Sequence, residues 1–159
     1  DPSLAEQIIK KLYTTLSNPE PDFSLAKVLH SGVGSGTLVG GNNYTFDLLQ
    51  GTQYMPDLTN PFVLIMEGED LVKDSKEVWI DFIRNIDSIM LQDGALKNLR
   101  GLIIGDFPDS VSIKKAYLSK FFKDRDYLKD IPIVYAYPCG HNKKSTNYLP
   151  IGQKVQIKC

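Results

Sequence analysis

The sequence predicts an α/β domain organised around a parallel β-sheet, and three observations carry that prediction. Residues 62–66 (FVLIM), 101–105 (GLIIG) and 131–137 (IPIVYAY) are short apolar runs without alternation, the pattern of strands buried on both faces. Between them, residues 76–92 and 112–123 repeat apolar side chains at helical spacing. Strand, helix, strand, helix, strand is the order of βαβ units, which set parallel strands side by side beneath crossover helices. The chain has 159 residues, 42% hydrophobic and 23% charged. That suffices for one domain burying roughly 70% of the surface its unfolded form exposes.

From the start of the chain, Ser3 and Glu6 form a capping-box pattern. The helix they announce places Leu4, Ile8, Leu12 and Leu16 near one face with Ile9 and Tyr13, and Asn18-Pro19-Glu20-Pro21 stops it. A strand-like stretch over 25–39 passes through Gly32, Gly34 and Gly36. Gly40-Gly41-Asn42 then opens a helix-like segment with Phe46, Leu48 and Leu49, and Tyr54-Met55-Pro56-Asp57 closes this first third. After the strand at 62–66, the helix over 76–92 carries Val78, Trp79, Phe82, Ile83, Ile86, Ile89 and Met90, and ends near Gly94. The strand at 101–105 leads to the helix over 112–123, with Ile113, Tyr117, Leu118, Phe121 and Phe122. The strand at 131–137 has Pro132 at its start, where a missing N–H is tolerated. Residues 153–158 alternate and form a final strand. The strands outside the βαβ units are expected to form an antiparallel layer.

Composition excludes several functions. The formal net charge is −1, from 18 basic and 19 acidic side chains, so there is no electrostatic footprint for nucleic acid or anionic lipid. No apolar run approaches the ~18 residues that would span a membrane, and the amphipathic, acidic start is unlike a signal peptide. Cys139 and Cys159 do not make a disulfide scaffold, and free thiols in a reducing compartment are expected. A chain starting at Asp1 reads as a processed product or a fragment, with parts of a site lying outside it.

Sites in parallel sheets form beyond the carboxyl ends of the strands. Glu67 follows the first run there, Asp106 the second, and Gly140-His141 the third. A carboxylate and an imidazole on one rim can pair so that the acid orients the ring, which is the base half of a nucleophilic triad. Blander readings compete: Asp106 as a cap or turn, Glu67 as a structural ion pair, and His141 as a merely exposed ring. His30 reads as structural. Glu67, Asp106, Cys139 and His141 are ligand types without close spacing, so no metal is expected. Cys139 as a thiol nucleophile is disfavoured, because i and i+2 side chains on an extended loop point apart. Gly32-Val33-Gly34-Ser35-Gly36 misses the elbow pattern G-x-S-x-G at Val33, and G-x-G-x-x-G also fails. By residues alone, the chain shows an acid–base pair without a nucleophile.

Several motifs resemble one known family in order and spacing between about 37 and 157. Gly40-Gly41-Asn42, then Gly51-Thr52 and Tyr54-Met55-Pro56-Asp57, look like a "GGN … GT-x-[YW]-x-PD" stretch. Leu64-Ile65-Met66-Glu67 looks like an "L-x-L-E" strand, and residues 101–107 like "G-x-x-x-G-x-F". Gly140-His141, followed by Leu149-Pro150-Ile151-Gly152, looks like a "GH … LP-[IL]-G" ending. Together they resemble the C-terminal half of the LD-carboxypeptidase and microcin C immunity serine peptidases.

The resemblance implies a three-layer β/β/α swivelling-type domain over 37–159, with 1–36 as a lead-in helix and linker from a missing N-terminal domain. It also implies a Ser-Glu-His triad without metal or cofactor. Glu67 orients His141, His141 is the general base, and the serine lies in that missing domain, so this chain alone should be inactive. Gly41 and Asn42 fall on the substrate side. The implied substrate is a murein tetrapeptide cut at its L–D amide in cytoplasmic cell-wall recycling. The alternatives are a microcin C-type peptidyl nucleotide and a degenerate peptide-binding domain. A homodimer would suit the family. Gly68 stands where an acidic residue usually follows the glutamate, which makes Glu69 a second candidate carboxylate, and Cys139 replaces a frequent aromatic.

Overall fold

The structure, a computed structural model, describes residues 3–17, 20–68, 75–107, 115–141 and 147–159. Asn18, Pro19, Glu69 and Ile113 lie outside the described residues, as do the side chains of Leu4 and Val78. The elements are α1 (Leu4–Ser17), β1 (Lys27–His30), β2 (Val33–Asn42), α2 (Asn43–Asp47), β3 (Phe62–Glu67), α3 (Ser75–Met90), α4 (Ala95–Asn98), β4 (Leu99–Gly105), α5 (Lys115–Phe122), β5 (Ile133–Tyr137) and β6 (Lys154–Lys158). A single 3-10 turn, Asp126–Leu128, precedes β5.

One six-stranded sheet runs in the order β1-β5-β4-β3-β2-β6. Its four central strands are parallel, and β1 and β6 are antiparallel to β5 and β2 respectively. The βαβ architecture expected from the sequence is therefore present. The antiparallel strands, however, extend the edges of this sheet and do not stack as a separate layer among the described residues. The strand-like stretch expected over 25–39 divides into β1 and most of β2, which meet around Gly32. The reason is hydrogen bonding: each parallel edge left by the βαβ units has open N–H and C=O groups, and a returning antiparallel strand satisfies them.

Alternation inside β3 and β4 explains their continuous apolar runs. Phe62, Leu64, Met66, Leu102 and Ile104 face the helices, while Val63, Ile65 and Ile103 face the opposite side. On α3, Trp79, Phe82, Ile83, Ile86, Ile89 and Met90 are all buried against the first face. Each such side chain contributes about 1.5–3 kcal/mol by leaving water. The helix ends two residues earlier than its periodicity suggests, because Leu91 and Gln92 donate to the carbonyls of Ser88 and Ile89 in a tightened last turn. The opposite face is closed by Phe23, Ala26 and Leu149 from irregular segments, with the Phe23 ring 5.4 Å from that of Tyr137.

A polar tie fixes α3 to the connection after α5. Arg125 donates through Nε and Nη2 to the Asp87 carboxylate, and Tyr127 Oη donates to Asp87 Oδ1 at 2.6 Å. Partial burial pushes the Asp87 carboxyl up, but the hydrogen bonds from Arg125 and Tyr127 outweigh it and hold it below its ordinary value. Among the described residues, no helix is long and apolar enough to cross a membrane.

Candidate active site

Register places the candidate residues on one rim. Asn42 ends β2 opposite Glu67, the last residue of β3. The rim is continued by Asp106 after β4 and by Cys139-Gly140-His141 after β5. Main-chain bonds lock these ends together: Asp106 N–H donates to the Cys139 carbonyl at 2.8 Å, and Gly68 N–H donates to the Asp106 carbonyl at 3.4 Å. Beneath them, Phe107 joins an aromatic cluster, its ring 5.2 Å from Trp79 and 5.3 Å from Phe82. A Cβ at position 68 would meet the Phe107 ring at 2.3 Å, which accounts for glycine where the family resemblance leads one to expect an acid.

The structure brings Glu67 and His141 into direct contact across 74 residues of sequence. The ring Nδ1 lies 3.0 Å from Oε1 and 2.9 Å from Oε2, and the His141 main-chain N–H donates to Oε2 at 3.3 Å. The Glu67 side chain is 8% exposed and that of His141 54% exposed. A buried acceptor-only carboxylate therefore sits beneath a ring presented at the surface. A buried charge without partners is costly, and the ring and main-chain donors offset that cost here. With the Nδ1 hydrogen directed at Glu67, the neutral ring carries its basic lone pair on Nε2. This is the arrangement in which an acid orients a general base.

Gly140 makes the contact geometrically accessible. Its φ is +127°, and a Cβ there would lie 2.8 Å from Glu67 Oε2. The sequence displays a glycine before the histidine, but only the structure reveals that the carboxylate fills its side-chain space. Gly140→Ala is expected to push the carboxylate away from Nδ1. Imidazole ¹⁵N chemical shifts should then report a neutral His141 no longer held with its proton on Nδ1, whereas an unchanged tautomer would refute this packing.

The other candidates divide clearly. Asn42 caps α2, its Oδ1 accepting from the N–H groups of Tyr44 and Thr45 at 3.1 and 3.0 Å. Its Nδ2 is buried without a partner among the described residues, and the space a Cβ of Gly41 would enter is open for 4 Å. Together these leave a donor and a backbone approach beside Glu67. Asp106 acts through its main chain as a turn. His30 Nδ1 lies 3.0 Å from the Leu128 carbonyl, a structural contact away from this rim. Cys139 and Cys159 are free thiols. Burial, then the negative charges of Glu67 and Asp106, push the Cys139 thiol up to about 12, so at neutral pH it is protonated and a poor nucleophile. Among the described residues, no group of three His, Cys, Asp or Glu side chains is placed to hold a metal ion.

Comparisons with known proteins bear on the family and the fold. The family model described as the LD-carboxypeptidase C-terminal domain matches residues 35–157. A Bacillus subtilis protein named as a carboxypeptidase, YocD, is 28% identical over 131 residues, covering 82% of this chain and 38% of the relative. The crystal structure of an MccF-like protein from Bacillus anthracis superposes with a TM-score of 0.72 at 29% identity, over 84% of this chain and 39% of that one. A muramoyltetrapeptide carboxypeptidase from Oxalobacter formigenes shares the fold, with a TM-score of 0.66 at 22% identity over 95% of this chain and 50% of that one. This chain thus spans between about a third and a half of the length of the proteins it matches.

Proposed function

The chain belongs to the LD-carboxypeptidase C-terminal domain family, and from that premise we propose that it is the Glu67- and His141-bearing part of a serine carboxypeptidase that hydrolyses the L–D amide bond of murein tetrapeptides. The observation that carries this reading is the Glu67–His141 contact, with Nδ1 within 3.0 Å of both carboxylate oxygens. His141 Nε2 takes the proton of a serine hydroxyl as its oxygen attacks the amide carbon, then delivers that proton to the departing D-alanine amine. Water next releases the acyl group through the same base. Glu67 holds the ring and stabilises the imidazolium formed in between. The open space at Gly41, next to Asn42 at the end of β2, receives the peptide beside the reacting bond. The serine comes from a preceding domain, and the reaction belongs to cytoplasmic recycling of cell-wall peptides.

D-alanine release from a murein tetrapeptide tests this, with the longer natural gene product assayed beside the 159-residue chain. Release by the longer protein alone is expected. Absence of release by either would overturn the murein reading. The similarity to an MccF-like protein at 29% identity favours a second reading, a peptidyl-nucleotide hydrolase of the microcin C immunity kind. Hydrolysis of an aminoacyl sulfamoyl nucleoside in preference to the tetrapeptide would select it.

A further inference from the structure

Helix α1 is barely covered by the rest of the domain: of its described side chains from Ala5 to Ser17, only Thr15 is half-buried and the others are exposed. Gln7, Lys10, Lys11 and Thr14 line a cleft of about 590 Å³ shared with Asp22 and Tyr137. On the opposite side of the helix, Ile9, Tyr13 and Leu16 are 65%, 72% and 70% exposed, and Ile8 and Leu12 are 43% and 44% exposed. At 100° per residue the two sets fall on opposing faces, and the apolar one is a broad arc, not a narrow two-helix seam. The helix carries its own start signal, since Ser3 N–H donates to Glu6 Oε2 at 2.7 Å and Glu6 N–H donates to Ser3 Oγ at 3.3 Å. A capped amphipathic helix gains most of its stability from covering its apolar face. Here that face is uncovered.

We infer that the apolar face of α1 is the docking surface for the polypeptide that precedes this domain in its longer relatives. The inference rests on the reading that this same polypeptide supplies the serine. Two arguments favour this occupant over a second copy of the chain. The first is area: at about 200 Å² for each fully exposed large side chain, the five residues leave on the order of 600 Å² open. Matched by a partner face, that makes about 1,200 Å² in total, well within the range for domains of one chain. It is at the lower limit for separate partners, which must also offset lost translational freedom. The second is tethering. The family is described as a C-terminal domain and this chain spans 38% of YocD, so a polypeptide preceding the domain in a longer protein would be held near α1 at high effective concentration.

Hydrogen–deuterium exchange on the longer natural gene product and on the 159-residue chain tests the assignment. The α1 amides should exchange at least about tenfold more slowly in the longer protein. A Leu12→Asp, Leu16→Asp double variant should leave the melting temperature of the 159-residue chain unchanged and lower that of the longer protein. Equal exchange in both proteins would overturn the inference. So would a reading frame with nothing upstream, or sedimentation showing an α1-dependent dimer that the double variant dissolves. Exchange needs no turnover, so the two readings fail separately. A longer protein that protects α1 without releasing D-alanine keeps the docking surface and loses the hydrolase. One that releases D-alanine with α1 unprotected does the reverse.

Discussion

His141→Ala in the longer protein should lower kcat by about three to four powers of ten while the fold remains intact, because it removes the base and leaves only binding and electrostatic stabilisation. The half-exposed ring contributes little packing, but its loss removes the close donor to the buried Glu67 carboxylate, so the melting temperature should fall while the variant still folds. Glu67→Gln separates orientation from basicity. It keeps the shape of the side chain but removes the charge that stabilises the imidazolium, and its amide can donate toward Nδ1, favouring the wrong tautomer. Steady-state kinetics of both variants, with circular dichroism to confirm folding, are the measurement. Turnover at the wild-type rate in His141→Ala would remove the proposed triad from consideration.

A large stability effect is expected at Gly40, where a backbone clash and a positive φ coincide. Its φ is +119°, and a Cβ there would lie 1.9 Å from the Ile65 carbonyl oxygen on the neighbouring parallel strand. Backbone cannot yield as a side-chain tip can, so Gly40→Ala should separate β2 from β3 and cost more than about 4 kcal/mol, the range of disrupted cores. Gly41→Ala is the matched control. It also has positive φ, +148°, but nothing lies within 4 Å of its Cβ, so it should cost only backbone strain of about 1–3 kcal/mol. Urea unfolding of the two variants measures the difference. Equal destabilisation would mean that strain alone, and not strand spacing, requires glycine at 40.

The central elements were legible because their signals are local. Apolar runs at 62–66 and 101–105 correspond to β3 and β4, since a strand covered on both faces needs apolar residues at every position. Asn42 was legible as the start of a helix, because an amide at that place caps the free N–H groups of the first turn. The edge strands were less legible. The segment around Lys27–His30 is strand-like in sequence, but its place at the sheet edge depends on open hydrogen-bonding groups of β5, more than 100 residues away. The Asp87, Arg125 and Tyr127 tie has the same character, joining positions 38 and 40 residues apart that no spacing rule connects.

The site divides in the same way. Sequence by itself determined that a carboxylate and a histidine follow the first and third apolar strands, because chain order and strand boundaries are written in residue pattern. Tertiary structure decided that they meet. Parallel register aligned the strand ends, the Asp106 main chain joined the turns that carry them, and the missing side chain of Gly140 left room for the Glu67 carboxylate beneath the ring. It also decided that the apolar face of α1 is left uncovered. Periodicity shows that a helix has two faces, but only the tertiary structure shows that nothing in the described domain covers the apolar one.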